Sequence, residues 1–139
     1  MASPAFEQFI QESLINSGVV SGALLLSRHG HVLYKYGDLL HISKADHSQF
    51  LPLFDAVSEL NPDSVHHQDL CVTSNLGHET TYKVYQKTFN SMYATCSKGS
   101  GGLTVCNLPY GILVCTYSGH TRAGDAVKAI EKFCDIMRR

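Results

Sequence analysis

Three features of the sequence predict an α+β domain with an antiparallel sheet. From Leu70 onward, strand-like runs follow one another through short turns, with no helical pattern between them. A second pair of strands, from Ser21 to Tyr36, is joined by a tight turn and reads as a hairpin. An amphipathic helical pattern opens the chain and another closes it.

The opening helix begins at Ser3-Pro4, a capping hydroxyl followed by proline at the first helical position. Phe6, Ile10 and Leu14 recur every four residues with Phe9 beside them. Glu7, Gln8, Gln11 and Glu12 take the other face. Asn16 to Gly18 ends the helix. Ser21 to Ser27 is a buried strand, Arg28-His29-Gly30-His31 a turn in which Gly30 supplies positive φ, and Val32 to Tyr36 the return strand. Beyond the connection at Gly37 to Lys44, Asp46 is positioned to cap a helix with apolar positions Phe50, Leu51, Phe54, Val57 and Leu60, stopped by Asn61-Pro62-Asp63. The segment from His41 to His67 admits one helix or two.

A short strand at Leu70 to Thr73 and a turn at Gly77-His78-Glu79 follow. Tyr82 to Lys87 alternates with period two, so one face of that strand is wet. Phe89-Asn90-Ser91 turns the chain into Met92 to Cys96. The stretch from Ser97 to Tyr117 organises the rest: a glycine-rich turn at Lys98 to Gly102, a strand, a turn at Asn107 to Gly111, and the apolar run Ile112 to Tyr117, which suits a strand covered on both faces. The last helix spans about Arg122 to Met137. Its stripe is Ala126, Val127, Ile130, Phe133, Cys134 and Met137, and Asp125 at its start with Arg138-Arg139 at its end complements the helix dipole.

The chain has 139 residues, enough for one domain with a core. A formal charge of −1 lacks the basic excess of a nucleic-acid binder, so no nucleic-acid partner is expected. No apolar run is long enough to span a bilayer, and no basic-then-apolar leader is present, so an integral membrane protein is not expected. The five cysteines are Cys71, Cys96, Cys106, Cys115 and Cys134. They form no CxxC motif and read as free, packed thiols of a reducing, cytoplasmic compartment. His29, His31, His66, His67 and His78 have no carboxylate or cysteine at ligand spacing, and no metal is expected. The glycine turn after Lys98 leads into a strand, whereas a phosphate cradle leads into a helix N-terminus. No cofactor, nucleophile elbow or catalytic triad is indicated, and the chain does not read as an enzyme.

Lys98-Gly99-Ser100-Gly101-Gly102-Leu103-Thr104-Val105 resembles the KGxGGxTV segment of profilins. The apolar strand and the Gly124…Glu131…Asp135 pattern follow at the family's spacing. Phe6 to Leu14 and Ala23 to Val32 resemble that family's first helix and hairpin, and the likeness is thin from Gly37 to Thr81. It implies a profilin-like fold of about 6–7 antiparallel strands, with both terminal helices packed together on one face and a shorter helical segment on the other. It also implies a cytoplasmic, non-enzymatic protein that binds monomeric actin, proline-rich segments and phosphoinositides. By position, the actin face would include Lys98, His120, Arg122, Gly124, Lys128 and Glu131. Val127 stands where the family often has asparagine, and Thr95, Cys96 and Ser97 where it is more basic. The proline-rich groove would use Phe6, Phe9, Leu33 and Ile136. The family usually has tryptophan at positions like Phe6 and Leu33, but this chain has none, and the same apolar stripe suits simple helix packing. Phosphoinositides would have Arg138, Arg139 and Lys132. Two function classes stay open: an actin-monomer binder, or an interaction module that kept the fold and lost actin, either a diverged profilin or a relative of the roadblock-type dynein light chains.

Overall fold

The computed structural model describes residues 4–40, 42, 46, 48–51, 69–73, 79–88, 90–96, 101–119 and 121–138. Helix α1 spans Pro4–Ser13 and is followed by a single 3₁₀ turn at Ile15–Ser17, closed by Gly18 in the left-handed conformation. Seven strands follow: β1 Gly22–Ser27, β2 Val32–Gly37, β3 Asp69–Thr73, β4 Glu79–Lys87, β5 Ser91–Cys96, β6 Gly101–Leu108 and β7 Gly111–Ser118. Helix α2, Ala123–Met137, closes the chain.

The strands form one antiparallel sheet in the order β2-β1-β7-β6-β5-β4-β3. Each of β3 to β7 pairs with its neighbour in sequence, and β7 then returns to β1. The meander is thus five strands long. The turn before β7 is also shorter than the sequence suggests: β6 runs through Leu108, leaving Pro109 and Tyr110 as its loop. Glu79, read as turn, already belongs to β4.

Alternation sorts the strand residues into two cores. Toward the terminal helices point Ala23, Leu25, Cys106, Leu108, Leu113 and Cys115, packed under Ile10 and Leu14 of α1 and Ile130, Phe133 and Cys134 of α2. The opposite face carries Leu24, Leu26, Val84, Met92, Leu103, Val105 and Val114, covered by Leu39 and Phe50. Burying a side chain such as Leu25 or Leu103 stabilises the fold by about 1.5–3 kcal/mol. The strands at the centre are therefore apolar on both faces, and β7 is buried from Gly111 to Tyr117.

The helical pattern after Asp46 differs from expectation at its start. Asp46 is itself helical, and its carboxylate oxygen Oδ2 accepts the Thr73 N–H at 2.8 Å. The Gln49 side-chain amide donates to the Cys71 carbonyl at 2.6 Å and accepts the Cys71 N–H at 2.9 Å. These side chains occupy backbone groups on the outer edge of β3. Phe54, Val57 and Leu60 lie outside the described residues. At the other edge, β2 carries Lys35 and an irregular register against β1 between Leu25 and Leu26.

Candidate functional site

Helix α2 lies across β6 and β7, and α1 packs beside it through the Phe9–Phe133 ring stack (5.4 Å, 26°). The same sheet face continues past α2 onto β5 and β4. The register places Ser91, Tyr93 and Thr95 of β5 and Lys83 of β4 on this side. Alternation places Tyr85 on the side of Lys83, and a bulge between Val84 and Gln86 brings Gln86 opposite Tyr93 on the same side.

Tyr85 stacks on Tyr93 with ring centroids 6.4 Å apart and is 46% exposed, while Tyr93 below it is buried. Tyr85 also lies near enough to the Tyr117 hydroxyl to influence its pKa. Gly102 makes room for Tyr117: a Cβ there would lie 2.3 Å from the Tyr117 Oη. Burial pushes the Tyr117 hydroxyl up to about 12, with Tyr85 adding to the rise. Burial, then the charge of Glu131, pushes Tyr93 up to about 12 as well. Both phenols are neutral hydroxyls at physiological pH.

Glu131 joins this aromatic group to α2. Its Oε1 accepts the Ser91 Oγ–H at 2.6 Å and the Cys106 thiol at 3.7 Å. Along α2, Gly124, Lys128 and Glu131 share one side at helical spacing. Arg122, Gly124 and Lys128 are exposed, whereas Glu131 is half-buried and turned to β5. Arg122 occupies the N-cap position and makes no side-chain cap. Lys98 and His120 lie outside the described residues. Four of the six residues read as an actin face are thus gathered on one helix. Sequence reasoning missed the sheet half: Lys83, Tyr85, Tyr93 and Tyr117. The alternation of Ser91, Tyr93 and Thr95 was the available signal.

The proposed groove residues divide. Phe9 is half-buried and occupied by its stack on Phe133, Leu33 is half-buried against the same core, and Ile136 is 41% exposed. Phe6 belongs to α1, but its side chain is outside the described set. Tyr34 donates to Gln11 across α1 and β2 at 3.2 Å. Of the cations read for an anionic lipid, Arg138 is bound to the backbone carbonyls of Asn107 (3.1 Å) and Asn90 (3.3 Å), anchoring the end of α2. Lys132 is exposed, and Arg139 lies outside the described residues.

None of the five cysteines forms a disulfide. Hydrogen bonding to Cys134 and then burial raise the Cys106 thiol pKa well above its ordinary value, and burial raises that of Cys115. Both are inert neutral packing groups. His29 and His31 are exposed at the tip of the first hairpin, and His66, His67 and His78 lie outside the described residues. Among the described residues, no three metal-ligating side chains cluster, and no helix is long and apolar enough to cross a membrane.

No curated protein sequence matches the chain. Its fold is similar to that of profilin II from Acanthamoeba castellanii, with a TM-score of 0.72 and 18% identity over 95% of each chain. It is similar to Schizosaccharomyces pombe profilin, with a TM-score of 0.72 and 21% identity over 94% of each chain. LokiProfilin2, solved in complex with rabbit actin, is similar at a TM-score of 0.75 and 14% identity, over 99% of this chain and 98% of that one. The family model described as Profilin matches residues 5–139. That match decides between the two fold relatives left open by the sequence: the chain belongs to the profilin family.

Proposed function

We propose that this profilin binds monomeric actin and regulates its polymerisation through the uncovered half of the helix-side sheet face together with the flank of α2. Profilins are not enzymes, and the mechanism is sequestration or delivery of the monomer, with no covalent chemistry. The observation that carries the reading is the exposed Tyr85 ring seated on buried Tyr93, with Lys83 on its own strand and Arg122 and Lys128 on the adjoining helix. An aromatic centre with a charged rim is the usual composition of a protein interface. The similarity to LokiProfilin1 and LokiProfilin2, each solved with rabbit actin, supports the same partner. Actin places this activity in the cytoplasm.

Proline-rich binding through Phe9, Leu33 and Ile136 is the weaker of the family's activities in this chain. Phe9 is engaged with Phe133, and neither leucine nor isoleucine offers a proline carbonyl a donor. Phosphoinositide binding is weaker again, because Arg138 is committed to backbone carbonyls.

The test is spontaneous polymerisation of purified actin with and without the protein. Wild type slows it, and the double reversal Arg122→Glu with Lys128→Glu lowers affinity at least about tenfold by placing like charges on the rim. A wild type that leaves polymerisation unchanged would assign the chain to the second class, an interaction module that kept only the fold.

A further inference from the structure

The proposed face has two halves carried by separate elements. The sheet half is the tyrosine group on β4, β5 and β7. The helix half is the exposed flank of α2 with Arg122, Gly124 and Lys128. A rigid partner reads both halves at once only if their separation is fixed, because a displacement of about 1 Å in a positioned group is enough to lose much of its contribution.

One side chain fixes it. The Glu131 carboxylate is half-buried and takes hydrogen bonds from Ser91 of β5 and from Cys106 of β6. Its first bond, 2.6 Å from Ser91 Oγ, has the length of a charge-assisted O–H···O⁻ contact. Ser91 is itself fully buried, and its backbone N–H is held by the Thr88 hydroxyl at 3.0 Å, so the acceptor is met by a donor already fixed in place. Tyr93, two residues along β5 on the same face and near enough to feel the Glu131 charge, is the floor on which Tyr85 stacks, and Tyr85 in turn lies near Tyr117. A continuous chain of contacts therefore runs from α2 to the exposed ring.

We infer that Glu131 is a positioning residue: with Ser91 it latches α2 to β5 and sets the height and tilt of the Tyr93–Tyr85 platform, rather than meeting the partner with its own charge. This rests on the actin-face reading for its functional consequence, while the latch itself is a property of the free protein. The bonds from Ser91 and Cys106 hold Oε1 against the sheet, so this oxygen is engaged within the free protein. An amide at the same place keeps a carbonyl oxygen to accept from Ser91 but removes the charge. Contact and positioning thus predict opposite behaviour for Glu131→Gln.

The experiment compares Glu131→Gln, Glu131→Ala and Ser91→Ala with wild type in two measurements. The first is the NMR signature of the Tyr93 and Tyr85 rings in the free protein. The second is affinity for monomeric actin. Positioning expects both ring signals to move in Glu131→Ala and to move in the same sense, by less, in Ser91→Ala. It expects near-wild-type signals in Glu131→Gln. Actin affinity follows the same order, falling about tenfold in Glu131→Ala and less than about threefold in Glu131→Gln. Unmoved ring signals in both alanine variants overturn the latch. So does an equal loss of affinity in Glu131→Gln and Glu131→Ala, which marks a charge contact. Ser91→Ala deletes only a hydroxyl and keeps the test open where Glu131→Ala folds poorly. If wild type itself does not bind actin, the functional reading fails, and the ring signals still decide whether the latch exists.

Discussion

The helix-side face of the sheet has a covered half and an open half. Under the helices, β1, β6 and β7 present Ala23, Leu25, Cys106, Leu113 and Cys115, all but fully buried. Beyond the flank of α2, the same face on β4 and β5 presents Lys83, Tyr85, Tyr93 and Thr95. The pleat is continuous, and only the cover changes. Where a helix lies on top, aliphatic side chains gain the most from leaving water. Where none does, the chain uses tyrosine, whose ring packs below and whose hydroxyl finds a partner at the rim. An exposed aromatic surface bounded by lysines is thereby kept without a large greasy patch.

The contrast is broken most forcefully by truncating one residue from each half. Ile130→Ala, in the fully buried covered half, should destabilise the fold by about 2–5 kcal/mol through loss of burial and the cavity left behind. Tyr85→Ala should change stability by about 0.5–1.5 kcal/mol, the worth of its stack, while weakening actin binding far more. Thermal unfolding and polymerisation assays on both variants check this. Equal losses of stability would mean that the open half is ordinary core.

A smaller effect is expected at the boundary between the halves. Gly102→Ala sets a methyl 2.3 Å from the Tyr117 Oη and 2.4 Å from Cζ, so the ring must move. A destabilisation of about 1–3 kcal/mol is expected from that overpacking, together with a displacement of the Tyr117 ring readable in the tyrosine NMR spectrum. A neutral substitution would show that the ring moves aside freely and that Tyr117 does not steady the platform.

The smallest change sharpens the covered half. Thr104, fully buried on β6 and facing the helices, has a hydroxyl with no hydrogen-bond partner among the described residues. Thr104→Val removes that orphan oxygen at nearly constant shape and should stabilise the protein by about 1 kcal/mol in denaturant unfolding. A loss of stability would reveal a partner for the hydroxyl.

Much of this architecture can be read from the residues. Ile112 to Tyr117 announces a doubly covered strand because both parities are apolar, and the stripe of Ala126, Ile130, Phe133 and Cys134 announces the buried side of α2. The open half is harder to read. Tyr82 to Lys87 shows alternation, but not that a bulge after Val84 shifts the register so that Gln86 stands opposite Tyr93, because a bulge has no fixed composition. Glu131 looks like one more charge on an amphipathic helix, and only the pairing of β5 with β6 brings Ser91 to it. Asp46 carries the chemistry of a cap, yet its oxygen is drawn to a strand N–H far away in sequence. In each case a long-range contact overrides a local preference.

The treatment of the sheet's two margins has a consequence for how the molecule meets others. At β3 the Gln49 amide imitates a neighbouring strand, giving one donor and one acceptor to Cys71. At β2 an irregular ladder and Lys35 spoil the template for a newcomer. A ribbon terminated at both ends in this way resists lengthening by another chain's backbone, whether from an identical molecule in a fibril or from an extended peptide. That leaves the broad sides of the sheet for contact through side chains, where a substitution alters the surface without altering the hydrogen-bonded frame. The surface is free to change while the frame beneath it stays the same.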